Sequence, residues 1–226
     1  MSDIETLVGA LDHPTKLARR QAAEALGEAG ARDPGVCARL ASELEVGNPA
    51  RRWTVAYALF LAGDRSERLW PVLCAALGSD DGDLRWAASR LVVALEVPDL
   101  TERLLAALGS GPAEQRKMAL YCLRERGERS AHVDAAVTAA LEDADSAIRL
   151  AAMSALVVVT TEPELAARAL QRRLHDREAG VRRAAAAALG RLGVSTPDVL
   201  GALGCAAQGE DDALARAARG ALDRLG

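Results

Sequence analysis

The chain has 226 residues, a formal charge of −4, 50% hydrophobic residues and only 3% aromatic ones. Alanine fills about a fifth of the positions, well above ordinary usage. That excludes a sandwich or barrel built from β-branched and aromatic strands, and it demands helices that approach closely over small side chains. The acidic balance disfavours a general nucleic-acid binder, which usually carries a basic excess, and leaves room only for a local basic face; no apolar run reaches the ~20 residues that span a bilayer.

In chain order, helical periodicity falls into seven copies of one pattern. The first, 3–30, carries Leu11, Arg19, Ala22, Ala25 and Leu26, with Asp12-His13-Pro14 opening its second helix. The second, 34–63, opens at Asp33-Pro34 with Val36, Leu40 and Leu44. Asn48-Pro49 then starts a helix with Arg52, Val55, Ala58 and Leu59. In the third, 66–96, Pro71 stands several residues past the capping residue Ser66, which predicts a late start or a kink. Trp70 there is read as core, and Leu77, Arg85, Ala88, Leu91 and Val92 complete the copy. The fourth, 98–127, has Leu108, the start Gly111-Pro112, Arg116, Ala119, Cys122 and Leu123; it is two residues short, so the stack is expected to be irregular around copies three and four.

The fifth copy, 130–160, has Leu141, Arg149, Ala152, Ala155 and Leu156. The sixth, 162–193, opens at Glu162-Pro163 and runs through Leu165, Leu170 and Leu174 to Arg182, Ala185, Ala188 and Leu189. The seventh, 196–226, opens at Thr196-Pro197 and keeps Ala218, Ala221 and Leu222, with Ala215 in the arginine slot. Its Leu200, Leu203 and Leu214 near a free end leave dimerisation open.

The anchor arginines are spaced 33, 33, 31, 33 and 33 residues apart. Offsets 0, +3, +6 and +7 from each share one helix face, and a polar residue followed by proline suits a helix start. One helix pair cannot cover both of its apolar faces, so neighbouring pairs must stack into a solenoid. The expectation is a single all-α domain over 1–226 of about seven helix pairs. A large side chain at Ala152 or Ala185 should overpack it at a cost of about 1–3 kcal/mol.

A unit reading Leu-x-Asp, then Val-Arg-x-x-Ala-x-x-Ala-Leu, resembles the HEAT repeat. It is most similar to the short bacterial HEAT-like repeats of phycobilin lyases and many adaptor proteins. The segment from Leu174, His175 and Asp176 through Val181, Arg182 and Ala185 to Ala188, Leu189 and Gly190 carries the resemblance best, with Leu11 to Gly27 next. Arg51 and Gln115 depart from it, standing where an apolar residue precedes the arginine. The resemblance implies a right-handed α-α superhelix of the HEAT/armadillo type whose second helices line a concave surface. It also implies that the arginines pair with acidic turn residues, for which Asp12, Glu45, Asp81, Asp143 and Asp176 are candidates.

On each second helix, offsets +1 and +5 point away from the core. The +1 row reads Arg20, Trp53, Trp86, Lys117, Leu150, Arg183 and Arg216; the +5 row reads Glu24, Tyr57, Arg90, Tyr121, Ser154, Ala187 and Gly220. Four of the chain's six aromatics fall in these rows, so the candidate partner-binding residues are Trp53, Tyr57, Trp86, Arg90, Lys117 and Tyr121, with Phe60 flanking. Exposed aromatics beside arginine are typical anchors. The alternative is that they fill grooves between irregular copies.

Cys37, Cys74, Cys122 and Cys205, and His13, His132 and His175, are scattered with no zinc spacing. Each cysteine is therefore read as a buried helix residue in a reducing, cytoplasmic setting, and the N-terminus Met-Ser-Asp-Ile-Glu reads as no signal peptide. No catalytic residue, cofactor or metal is expected. The expected function is a non-catalytic scaffold or adaptor for a protein or peptide, acidic or extended, held in the groove. Two alternatives stay open through the resemblance: a nucleic-acid binder or DNA glycosylase of HEAT type, and a tetrapyrrole-binding chaperone like the phycobilin lyases.

Overall fold

The computed structural model describes residues 3–226. Fourteen α-helices and two short 3-10 turns account for nearly all of the described residues, and no strand occurs among them. The chain divides into two compact units, one ending at Leu100 and the other spanning Thr101–Gly226.

In the first unit, α1 (Asp3–Ala10) pairs with α2 (Lys16–Gly30), and α3 (Pro34–Ala41) with α4 (Pro49–Leu61). A 3-10 turn at Glu67–Leu69 then leads into α5 (Trp70–Leu77), which pairs with α6 (Gly82–Val93). The caps explain the starts. The Asp33 carboxylate accepts from the Gly35 N–H (2.8 Å), and the Asn48 side chain accepts from the Arg51 N–H (2.9 Å), each just before the expected proline. At the first copy the expected start is displaced: Thr15 is the cap of α2, not Asp12 or His13. Pro71 does delay its helix, because the chain can turn as 3-10 ahead of it and become α-helical once proline occupies the first turn. Trp70 at that junction is half-buried, and the neighbouring Leu69 takes the core position instead.

The second unit runs α7 (Leu100–Ser110), α8 (Ala113–Arg126), α9 (Ala131–Ala139), a 3-10 turn at Ala140–Glu142, α10 (Ser146–Val159), α11 (Pro163–Arg173), α12 (Ala179–Leu192), α13 (Pro197–Gln208) and α14 (Asp212–Leu225). Its second helices form one continuous stack, α8 on α10, α10 on α12 and α12 on α14. Glycines at offset +11, Gly127 and Gly193, close α8 and α12 in the left-handed conformation that suits glycine.

The core follows the repeat. The +3 residues Ala22, Val55, Ala88, Ala119, Ala152, Ala185 and Ala218 are all buried, as are the leucines eight residues before each anchor. The closest helix approach comes from a different slot. A Cβ at Gly190, offset +8, would lie 2.8 Å from the Ala221 Cα, and one at Gly27, the same slot in the first copy, 2.5 Å from the Leu61 Cβ. Glycine there lets α12 meet α14, and α2 meet α4, almost backbone to backbone.

The cysteines divide. Cys122 is buried, Cys37 and Cys74 are half-buried and Cys205 is exposed, so a buried reading fails for three of the four. Cys205 lies on the solvent-facing side of α13.

Candidate functional site

The arginines come first, because they show which charges the fold consumes. In the second unit each anchor guanidinium does two things. Arg149 donates to the Asp143 and Ala144 carbonyls of its own turn (2.8 and 3.0 Å) and to both carboxylate oxygens of Asp176 in the next copy (2.8 and 2.9 Å). Arg116 repeats this with Gly111 and Asp143, and Arg182 with Asp176, Arg177 and Asp211. The Arg149 and Asp176 side chains are each only 4% exposed. Burial pushes the Asp176 carboxyl up, but the bonds from Arg149 and from the Glu178 N–H outweigh it and hold it below the usual carboxylate range. These arginines are structural ties.

A second buried carboxylate was not legible in the sequence. Asp134, on α9, is buried, yet one oxygen accepts from the Thr160 hydroxyl and the Thr161 N–H (both 2.8 Å) and from the Glu162 N–H (3.3 Å). Burial raises its pKa, and these donors lower it by more. It thereby fixes the Thr160–Glu162 segment that leads into α11. A polar recess of about 340 Å³ is lined by the arginine ladder, including Glu142, Arg149, Arg173 and Asp176.

In the first unit the ties are different. Arg19 and Arg85 donate to the carbonyls of their own turns, at His13 and Pro14 and at Ser79. The most buried cross-copy tie among the described residues is Arg51, the residue that departs from the repeat. It is buried, donates to Glu43 (2.6 Å) and reaches back to Asp12 of the preceding copy. Arg39 also pairs with Glu43, and Lys16 with Asp81. Of the acidic residues expected to serve, Glu45 is exposed and gives way to Glu43, two residues earlier, whose carboxyl Arg51 and Arg39 hold down.

The six candidate binding residues fall on the outward faces of second helices, four in the first unit and two in the second. On α4, Trp53 and Tyr57 stack, with ring centroids 6.0 Å apart and planes 11° from parallel. Both are half-buried. Tyr57 lies beside Arg20 of α2, whose guanidinium is held up first by its bond to Glu24 (2.8 Å) and then by Tyr57. On α6, Trp86 is 52% exposed, and Arg90, one turn on, is exposed as well. Phe60 is covered by the Arg65 guanidinium, 3.5 Å above its ring.

On α8, Lys117 is ion-paired with Glu114 (2.7 Å), and Tyr121 lies under the Arg124 guanidinium at 5.6 Å. Arg124 also donates to the Ser154 hydroxyl of α10 (2.9 Å). Arg124 is the site residue that the outward rows missed. It occupies offset +8, the slot held by Gly27 and Gly190 in the first and sixth copies, and from there its side chain reaches across to α10.

The expected basic character of the aromatic positions is reduced, since Glu24 neutralises Arg20 and Glu114 neutralises Lys117. Among the described residues no group of three or more His, Cys, Asp or Glu side chains could hold a metal ion, and no helix is long and apolar enough to cross a membrane.

No protein-family model and no curated protein matches the chain. Solved structures do. The Escherichia coli protein YibA matches over 98% of this chain and 80% of its own, at 14% identity and a TM-score of 0.63. Importin beta matches over 99% of this chain and 33% of its own, at 16% identity and a TM-score of 0.60. A designed armadillo repeat protein, solved with the peptide (KR)4, matches over the whole of both chains at 13% identity and a TM-score of 0.50. The fold is thus an all-α solenoid of the HEAT/armadillo type.

Proposed function

We propose that this HEAT/armadillo-type chain is a non-catalytic scaffold that binds a protein partner on the outward faces of its second helices. Trp53, Tyr57, Trp86, Arg90, Lys117 and Tyr121 are the anchors. The observation that carries the reading is where a chain so poor in aromatics spends them. Trp86 stands 52% exposed at a position that a small or charged residue fills in most other copies. An indole with half its surface still exposed on a packed helix has apolar area that an interface can bury.

The stacked Trp53–Tyr57 pair is held in place before any partner arrives, so little side-chain entropy is lost on binding. An apolar side chain of the partner would lie against these rings, and Arg90 would take a carboxylate. A peptide ligand has precedent in the fold, since the designed armadillo protein was solved with one, though of basic sequence.

The test is a quantitative affinity capture from native extract. Wild type is compared with a Trp53→Ala/Trp86→Ala/Tyr121→Ala variant whose helicity and melting are checked by circular dichroism. The expected result is one protein recovered by wild type and lost by the folded variant. Equal recovery by both would remove the aromatic residues from the interface.

A further inference from the structure

The last two second helices repeat an outward pattern of arginines that the fold leaves without ion pairs among the described residues. On α12, Arg183, Ala187 and Arg191 stand at offsets +1, +5 and +9; on α14, Arg216, Gly220 and Arg224 stand at the same offsets. Residues four apart line one helix face, so each helix presents two arginines with a small residue between them. All four arginines are exposed, and among the described residues none is ion-paired. This is not a rule of the repeat: one helix earlier the flanking positions are Leu150 and Val158.

The two helices are in intimate contact, as the 2.8 Å approach at Gly190 shows. Their matching positions are therefore about 8–10 Å apart. The two arginine rows are about 12 Å apart along the helix axes.

Gly220 sharpens the point. A Cβ there would meet nothing within 4 Å, so packing does not require glycine. A glycine inside a helix is unfavourable by about 1 kcal/mol against alanine. Its effect is to leave the floor between the arginines open, and the Arg224 guanidinium lies back over it, donating to the Gly220 carbonyl (3.0 Å).

We propose that α12 and α14 form a trough, floored by Ala187 and Gly220 and walled by Arg183, Arg216, Arg191 and Arg224, that takes an extended glutamate- or aspartate-rich peptide segment. A strand crossing the helices sends alternate side chains to opposite walls, which matches two rows of guanidiniums that each favour carboxylate. A peptide suits the trough better than nucleic acid. The cations are four discrete groups on a chain of net charge −4, and Asp212 and Asp223 stand on the same face of α14. A continuous polyanion would meet those acids, while a peptide can place its carboxylates between them. The trough is independent of the aromatic anchors and does not rest on them.

The test is fluorescence anisotropy on the full chain. The probe is a fluorescein-labelled peptide of about eight residues, glutamate throughout except for terminal glycines, long enough to cross both helices. Its glutamine counterpart and an oligothymidine of similar length are the comparators. The glutamate peptide is expected to bind wild type and the glutamine peptide not to. Arg183→Ala/Arg216→Ala should weaken binding about tenfold or more, as befits the loss of two charge-assisted contacts. Gly220→Leu should abolish it with no fall in melting temperature. Trp53→Ala/Trp86→Ala should leave it unchanged, which separates this trough from the aromatic interface. Absence of glutamate-peptide binding, undiminished binding by the arginine variant, or tighter binding of oligothymidine by wild type would each overturn the proposal.

Discussion

The two units solve one problem differently. Each must tie neighbouring helix pairs together at the edge where the turns lie. The second unit does so with a forward ladder in which the arginine of one copy holds an aspartate of the next. The first unit reaches backward, from Arg51 to Asp12 and from Arg39 to Glu5, and adds the exposed pair of Lys16 and Asp81. Two rungs of that ladder share one slot, while the third acid, Asp211, stands two residues later, where copy three has Asp81. Six residues before the anchor, copies five and six have Asp143 and Asp176, whereas copies two and three have Val46 and Ser79. Arg19 and Arg85 still cap their own turns, and Arg51, a residue outside the repeat pattern, makes a tie to the preceding copy. A repeat consensus thus specifies stacking of the apolar faces in every copy, but it specifies the polar seam only where both partners are present.

The largest expected effect breaks the regular seam. Arg149→Ala leaves the Asp176 carboxylate buried without its main partner and should cost about 3–5 kcal/mol, read from denaturant unfolding. Arg51→Ala should cost about 1–2 kcal/mol, because Glu43 keeps Arg39 and the Asp12 side chain is already 52% exposed. Equal losses would mean that the two seams do not differ. Replacing the buried pair together, by Arg149→Met/Asp176→Leu, should recover most of the loss, since an apolar pair needs no desolvation of charge.

Next come the glycines. Gly190→Ala forces a Cβ against the Ala221 backbone and should cost about 1–3 kcal/mol. Gly220→Ala meets open space and should stabilise by about 0.5–1 kcal/mol. Thermal melts of the two variants should move in opposite directions, and a fall for both would refute the open floor.

The acid limb gives a smaller effect. Asp134 and Asp176 are held below the usual carboxylate range. Their contribution is complete above the unfolded aspartate value of about 3.9 and is lost as pH falls through the depressed native values. Stability should be flat above about pH 5 and fall below about pH 4. In Asp134→Asn the fall should be shallower and the plateau lower, as chemical denaturation across pH would show. The smallest stability effect is expected at Trp86→Ala, which should change the melting midpoint little while weakening partner capture. A large drop in melting would instead assign Trp86 to packing.

Much of the fold was legible because burial in a solenoid is local and periodic. The alanines at +3 and the leucines at −8 are buried wherever they occur, and Asp33, Asn48 and Thr196 cap the helices that the following prolines mark. The exceptions depended on neighbours outside the repeat. Trp70 sits at a junction that the chain crosses as a 3-10 turn, so Leu69 points inward in its place. Cys205 lies on the exposed side of α13.

The candidate site was legible only as positions. Offsets +1 and +5 are outward in every copy because the helix period fixes them. The sequence by itself therefore determined the helix pairs, their stacking faces and the rows on which binding residues could stand. Tertiary structure decided the charges. Whether an arginine is a tie, a cap or an open cation depends on which carboxylate the neighbouring copy brings within reach, and that distance is set by packing between copies. It consumed Arg149 and Arg51 in the seams, paired Arg20 and Lys117 on their own helices, and left Arg183, Arg191, Arg216 and Arg224 facing water.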